Sequence, residues 1–460
     1  MRSLYTLIFF LSISFSSIQA TTWLIGPGHS HAKPSQVANL VQNGDTILID
    51  AGIYPGDVAR WTANNLVFKG VGGKAHLKSG GNVYGGKAIW VIVGDDVTVE
   101  NIEFSEAACP DLNGAGIRSE GINLTVRNCF FHDNENGILA GDIASGDFLI
   151  EHCEFSGNGY DNGLAHNLYI NHAHSLVFRF NYSHDARVGH ELKSRAYTNI
   201  IYCNRLSDEN GTASRNIDLP NGGFSIIMGN VIVQDPQSEN SNLVGYGMEG
   251  LSNPNSELYV VYNTFVNNKG NGSFIQLGNG AQKLKAWNNI FAGPGTRISG
   301  NAVELDTAGN ISGTVAEMNF TDPLNYDFHL QMGSPAVGLA QSSGMAGAYS
   351  LSPEDEYLHP VGSQNRASTI DAGAHANPVQ SGTNTLSNSR YSVFPNPAID
   401  QIQVGGLQGG ETFFILDLHG WEIPGSIHLN RLDISGLSPG LYFLRIKSGL
   451  FQQTLPLLKH

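Results

Sequence analysis

Residues 189–199, GHELKSRAYTN, bring His190, Glu191, Lys193 and Arg195 together in a chain only 14% of whose residues are charged. These side-chain types suffice for acid–base chemistry on an anionic substrate. A histidine, or a lysine in its neutral form, takes a proton, while a lysine or arginine offsets a carboxylate. Groups of the same kind recur nearby: His166, Tyr169 and Asn171 upstream, Arg215, Asn216, Asp218 and Asn221 downstream. A surface ion-pair network would use the same residues and contribute little stability. The two readings separate only if the chain stacks these segments on one another.

The sequence supplies such a stack. From about residue 99, short β-branched and aromatic phrases recur every 23 to 33 residues: VENIEF, VRNCFF, IEHCEF, LVFRFNY, IIYCNRL, IIMGNVI, VVYNTF and KAWNNIF. A second phrase follows each: GIRS, GILA, NLYI, ELKS, NIDL, NLVG, SFIQ. Two strands per turn with small residues at the corner is the pattern of a parallel β-solenoid, in which each coil buries its apolar face against its neighbours. Asn181, Asn204, Asn230, Asn263 and Asn289 share one place in five successive coils and predict a ladder of side-chain amides. Cys129, Cys153, Phe180 and Cys203 are placed one position earlier, in an inward column. Cys129 and Cys153 lie on adjacent coils, where a bridge is geometrically open and buried free thiols are the plainer reading.

In the second phrase, Ile117, Ile138, Leu168, Leu192, Ile217, Leu243 and Phe274 are expected to point inward. The residue after each then points out, giving the column Arg118, Leu139, Tyr169, Lys193, Asp218, Val244, Ile275. Flanking outward columns hold Asn167, Glu191, Asn216 and Asn242 on one side and Asn171, Arg195, Pro220 and Tyr246 on the other. His166, His190 and Arg215 stand at the strand entrance. Tyr169, Lys193, His190 and Arg195 are the expected catalytic groups. His166, Asn171, Glu191, Arg215, Asn216, Asp218 and Asn221 are the expected substrate contacts. No spacing marks a metal site; a cluster built on His166 and His190 lacks a third ligand at a suitable interval.

The rest of the chain frames this patch. Residues 1–20, MRSLYTLIFFLSISFSSIQA, read as a secretory signal peptide with cleavage after Ala20, and no later segment has the length of a membrane span. A formal charge of −15 disfavours nucleic acid and anionic membranes but leaves room for a local basic patch facing a polyanion. The solenoid is expected over residues 21–375, a Ser, Asn and Thr-rich linker over 376–389, and a small antiparallel β-sandwich over 390–460. The fold class is therefore all-β, and a monomer is expected.

The repeats resemble the right-handed parallel β-helix of the pectate-lyase-like superfamily, the opening TWLIGPGHSHAKPSQVANLVQNGDTILIDAGIYPGDV with its short helix near Pro34 to Gln42 matching the superfamily's entry segment. The resemblance implies β-elimination of a uronic-acid polysaccharide: a cation or amide cluster for the C5 carboxylate, a base for the C5 proton and an acid for the leaving oxygen. Arg195 with Asn171 or Asn216 would supply the first, Lys193 or His190 the second, Tyr169 the third. Arg195 would favour the neutral lysine that a base requires, while Glu191 and Asp218 oppose it. Lys193-Ser194, with Arg215 one coil on, is similar to the chondroitinase B and alginate lyase group, polysaccharide lyase family 6. That group's calcium dependence has no motif of its own here, and Asp218 stands in the lysine's column. A glycoside hydrolase using Asp218 with Glu191 or Glu249, and a glycan-binding protein without catalysis, are the alternatives. FPNP (394–397) and GLSPGLYFLRI (436–446) resemble the C-terminal sorting domain of the type IX secretion system, which implies a Bacteroidetes-type exporter as partner and a secreted or surface-anchored product.

Overall fold

The computed structural model describes residues 20–377 except 162 and 369, and residues 391–459 except 397, 408, 417–421, 424–426, 429–430, 439 and 449–450. The expected signal peptide, save its last residue, and the expected linker beyond Asn377 lie outside the described residues. The chain divides into two compact units near residue 380.

The first unit is a right-handed parallel β-helix with three strands per coil, where the phrase pattern suggested two. Each first phrase breaks at a single left-handed residue, such as Phe180 (φ 58°), Cys203 (φ 50°) or Tyr262 (φ 56°), so that strands like Ala173–Arg179 and Tyr182–His184 run in different directions. Bent pairs of this kind form a 21-stranded parallel sheet, and the third strands form a ten-stranded one. The residue after each bend turns into the interior. There Asn181, Asn204, Asn230, Asn263 and Asn289 form the expected ladder, each Nδ2 donating to the next Oδ1 at 2.9–3.1 Å, and it continues to Asn310.

The cysteine column needs correction. Cys129 and Cys153 occupy the ladder position itself, the Cys153 amide donating to Asn181 Oδ1 (2.9 Å), while Phe180 and Cys203 are bend residues. Cys203 Sγ meets the Asp355 carbonyl (3.2 Å) outside the solenoid interior. All four cysteines are buried free thiols.

Inside, Phe104, Phe131 and Phe155 stack at 5.1 and 5.0 Å, with Ile117, Ile138, Leu168, Leu192 and Ile217 fully buried beside the third strands. The entry segment is a 3-10 turn, Pro34–Val37, instead of the expected longer helix. Ser35 gives both its amide and its hydroxyl to Asp57, tying the turn to the first coil before a helix can extend. No α-helix occurs among the described residues. The second unit pairs two four-stranded antiparallel sheets around Ile402, Val404, Ile415, Leu432, Leu444 and Leu457.

Candidate functional site

The ten-stranded sheet positions the cluster. Its strands Leu168–Ile170, Leu192–Ser194 and Ile217–Leu219 are three residues long, with inward residues at both ends and one outward residue between. Backbone register sets Tyr169 against Lys193 and Lys193 against Asp218, as alternation predicted. One coil further the register departs from expectation: Ile217 pairs with Val244 and Asp218 with Gly245, which in turn pairs with Gln276. Val244 and Ile275 are therefore core residues, and Tyr246 points inward, its hydroxyl on the Gly223 carbonyl (2.6 Å). The reason lies at the corner, where Leu243 fills the place taken by Asn216 below and Asn242 bonds to Asn240.

Gly245 is what admits Arg215. A Cβ there would lie 2.9 Å from Arg215 Cδ and Nε and 3.0 Å from Asp218 Oδ1. Without it, the arginine lies across the strand, Nη1 at 3.4 Å from Asp218 Oδ1 and Nη2 donating to Gln276 Oε1 (3.1 Å). Asp218, 2% exposed, also has Oδ2 3.4 Å from both Lys193 Nζ and His190 Nε2. Burial pushes its carboxyl above the usual range, against the pull of Lys193 and Arg215.

Arg195 leaves the same strand end and gathers three partners: Nε donates to the Tyr169 hydroxyl (2.8 Å), Nη1 to Asn221 Oδ1, and Nη2 to Glu249 Oε2 (2.6 Å). The other Glu249 oxygen receives Lys193 Nζ at 2.9 Å. Glu249 is half exposed; burial pushes its carboxyl upward, but the bonds from Arg195 and Lys193 outweigh this and hold it below its usual range. Its loop is pinned by Asn253, which donates to the carbonyls of Arg195, Ala196 and Gly222. Glu249 appeared in the sequence only as a hydrolase candidate. Gln276 and Asn253 were missed, because they arrive from later coils through register and loop shape.

His166 and His190 stack face to face at 4.9 Å and 7°. Each Nδ1 accepts a backbone N–H from the next coil, His166 from His190 and His190 from Arg215, both at 3.1 Å. Burial, with Lys193 among the nearby charges, holds both imidazoles well below their usual pKa. Neutral rings that accept at Nδ1 carry their proton on Nε2, and that of His190 faces Asp218.

Three expected contacts lie elsewhere. Glu191 is fully buried in the corner, accepting from Asn167, Ser183 and the Ala186 amide, and burial followed by Asp208 pushes its carboxyl well up. Asn216 is buried likewise, bonding the Val233 carbonyl (2.9 Å). Strand alternation does not extend into a corner, so neither faces out. Asn171 accepts from the adjacent His172 amide (2.9 Å), away from the cluster. Among the described residues, the groupings of three metal-ligating side chains lie away from this cluster.

Residues 51–204 match the right handed beta helix region family, and residues 392–458 match the secretion system C-terminal sorting domain. No curated protein matches the chain. Among solved structures it is similar to pectate lyase Pel9A, at 13% identity and a TM-score of 0.51 over 78% of this chain and 97% of that one. It is also similar to the Azotobacter vinelandii mannuronan C-5 epimerase AlgE6 A-module (14% identity, 59% and 91% covered, TM-score 0.37). A PL6 family alginate lyase, AlyGC, matches at 12% identity (82% and 60% covered, TM-score 0.31). At these identities the likeness speaks to fold alone. The chain is thus a parallel β-helix followed by an export-sorting domain.

Proposed function

We propose that this is an exported polysaccharide lyase that cleaves a uronic-acid polysaccharide by β-elimination across the face formed by Tyr169, Lys193, Arg195, Arg215 and Asp218. The observation that carries the reading is the Glu249 carboxylate, seated between Lys193 Nζ and Arg195 Nη2 on a half-exposed loop. The face binds a carboxylate at the junction of two cations, within a chain of net charge −15. A uronate C5 carboxylate presents the same group and would take Glu249's place. Offsetting its charge favours loss of the neighbouring proton, which otherwise adds a second negative charge beside the first.

In this reading Arg195, with Arg215, neutralises the carboxylate, and Lys193, a cation in the resting enzyme, takes the C5 proton after giving up its own to solvent. The electron pair forms the C4–C5 double bond as the C4–O bond breaks, and Tyr169 gives its hydroxyl proton to the leaving oxygen. Tyr169 suits that role because it accepts from Arg195 Nε and keeps its own proton to donate. Both nitrogens of His190 are committed, one to the Arg215 amide and one toward Asp218, so we assign it to holding Asp218 in place. The hydrolase pairing of Asp218 with Glu191 is disfavoured by the burial of Glu191 in the corner.

Incubation with alginate, pectate, glucuronan and glycosaminoglycans, monitored for the ultraviolet absorbance of an unsaturated uronate, tests the proposal. Elimination yields that chromophore, and Lys193→Ala abolishes it with the fold retained. New reducing ends without the chromophore would establish hydrolysis instead, and binding without either signal would establish a lectin-like role.

A further inference from the structure

Beyond the last coils, three segments distant in sequence bring two imidazoles and a carboxylate together: His329 on strand Asp327–Leu330, Glu356 on Asp355–Leu358, and His375 in the following segment. One ligating atom from each lies within 4.8 Å of the others. His375 is 4% exposed, and its Nδ1 is buried without a hydrogen-bond partner, 3.7 Å from Glu356 Oε2. That separation is too long for a hydrogen bond. It is close to the roughly 3.4 Å between N and O ligands on a tetrahedral ion with bonds of about 2.0–2.1 Å.

The surrounding groups hold these atoms in place. Glu356 Oε1 is taken by the Ala376 amide (2.6 Å) and lies 3.5 Å from Arg366 Nη1, which leaves Oε2 toward His375. Arg366 is itself fixed by the carbonyls of Ser368, Asp371 and Ala374. His329 Nδ1 is 2.5 Å from Asp327 Oδ1, which leaves Nε2 as the nitrogen free to ligate, the carboxylate–imidazole pairing that orients histidine ligands of metals. The two rings stack at 4.0 Å, so one of them must turn in its plane for both lone pairs to meet a single ion. By contrast, in the His76, Glu103 and His132 group every imidazole nitrogen has a partner: Ser105 and Glu103 for His76, Asp133 and Glu103 for His132. That group needs no ion to be satisfied.

We propose that His329, His375 and Glu356 form a divalent transition-metal site, with Zn2+ best matched to the two-nitrogen, one-oxygen donor set, and that the ion clamps the three C-terminal segments of the solenoid. It is independent of the proposed lyase chemistry. The test strips the full chain with chelator, adds Zn2+ alone, desalts, and measures bound zinc and the thermal midpoint. One zinc per chain and a raised midpoint are expected. His329→Ala, at a half-exposed position, should lose both effects with its circular dichroism unchanged, and Asp327→Asn should weaken zinc affinity about 10-fold or more. His132→Ala should retain both. No retained zinc, or zinc retained by folded His329→Ala, or zinc lost in His132→Ala instead, overturns the assignment; His375→Ala is uninformative alone if it fails to fold, which is why His329 carries the test.

Discussion

At the scale of single residues, the site contrasts committed groups with one replaceable group. Asp218, His166 and His190 are buried, His190 linking the other two through its amide on His166 Nδ1 and its Nε2 3.4 Å from Asp218, whereas Glu249 is half exposed and occupies the cations. If it stands where a substrate carboxylate binds, Glu249→Ala should lower KM several-fold on the uronate polymer that the wild type accepts, leaving the thermal midpoint nearly unchanged. A raised KM would show that Glu249 contacts substrate directly. A second residue-scale prediction concerns Asp208, whose carboxyl is pushed up to about 6, chiefly by burial and then by Asp185 and Asp235, against hydrogen bonds from Ser238 and the Ala213 amide. Its folded pKa stands above the ordinary 3.8, so its stabilising contribution is complete below pH 3.8 and is lost as pH rises through 6. Asp208→Asn should therefore gain on the wild type as pH rises, with the gap in unfolding free energy, measured by urea titration, small at pH 4 and on the order of 3 kcal/mol at pH 7.

At the scale of elements, the ladder and the outer sheet answer to different rules. Asn230 donates to Asn263 Oδ1 and the Ile201 carbonyl and accepts from the Asn204 amide and side chain, all buried. Asn230→Ala would strand several of these groups and should cost about 3–5 kcal/mol in urea unfolding. Asn310→Ala, at the ladder's half-buried end, should cost roughly 1 kcal/mol. On the sheet, Gly245→Ala places a methyl group against Arg215 and should reduce elimination at least tenfold while changing stability little. Full activity would mean that Arg215 has no part in the site. The column Tyr169, Lys193, Asp218 was legible because period-two alternation holds within a strand. Glu191 and Asn216 were misplaced because the strands are only three residues long and alternation stops at the corner. Gly245 and Gln276 were missed because one changed corner, with Leu243 where an asparagine sits below, shifts the next strand by one.

For the whole molecule, a long solenoid built from nearest-neighbour coils carries one polar face, and a separate unit carries the sorting match. Deleting residues 381–460 should leave the thermal midpoint and activity of the solenoid intact while abolishing export in the native host, measured by fractionating cells and medium. Loss of the fold on truncation would show that the units depend on each other. The sequence by itself determined the repeat, the asparagine ladder and the central outward column, because each follows from local period and from like residues stacking on like. Only the tertiary structure decided that Glu249 bridges Lys193 and Arg195, that Glu191 is buried, that His190 has no free nitrogen, and that His329, Glu356 and His375 meet. Those outcomes depend on corners and loops, where no side-chain period operates and where the partners come from coils far apart along the chain.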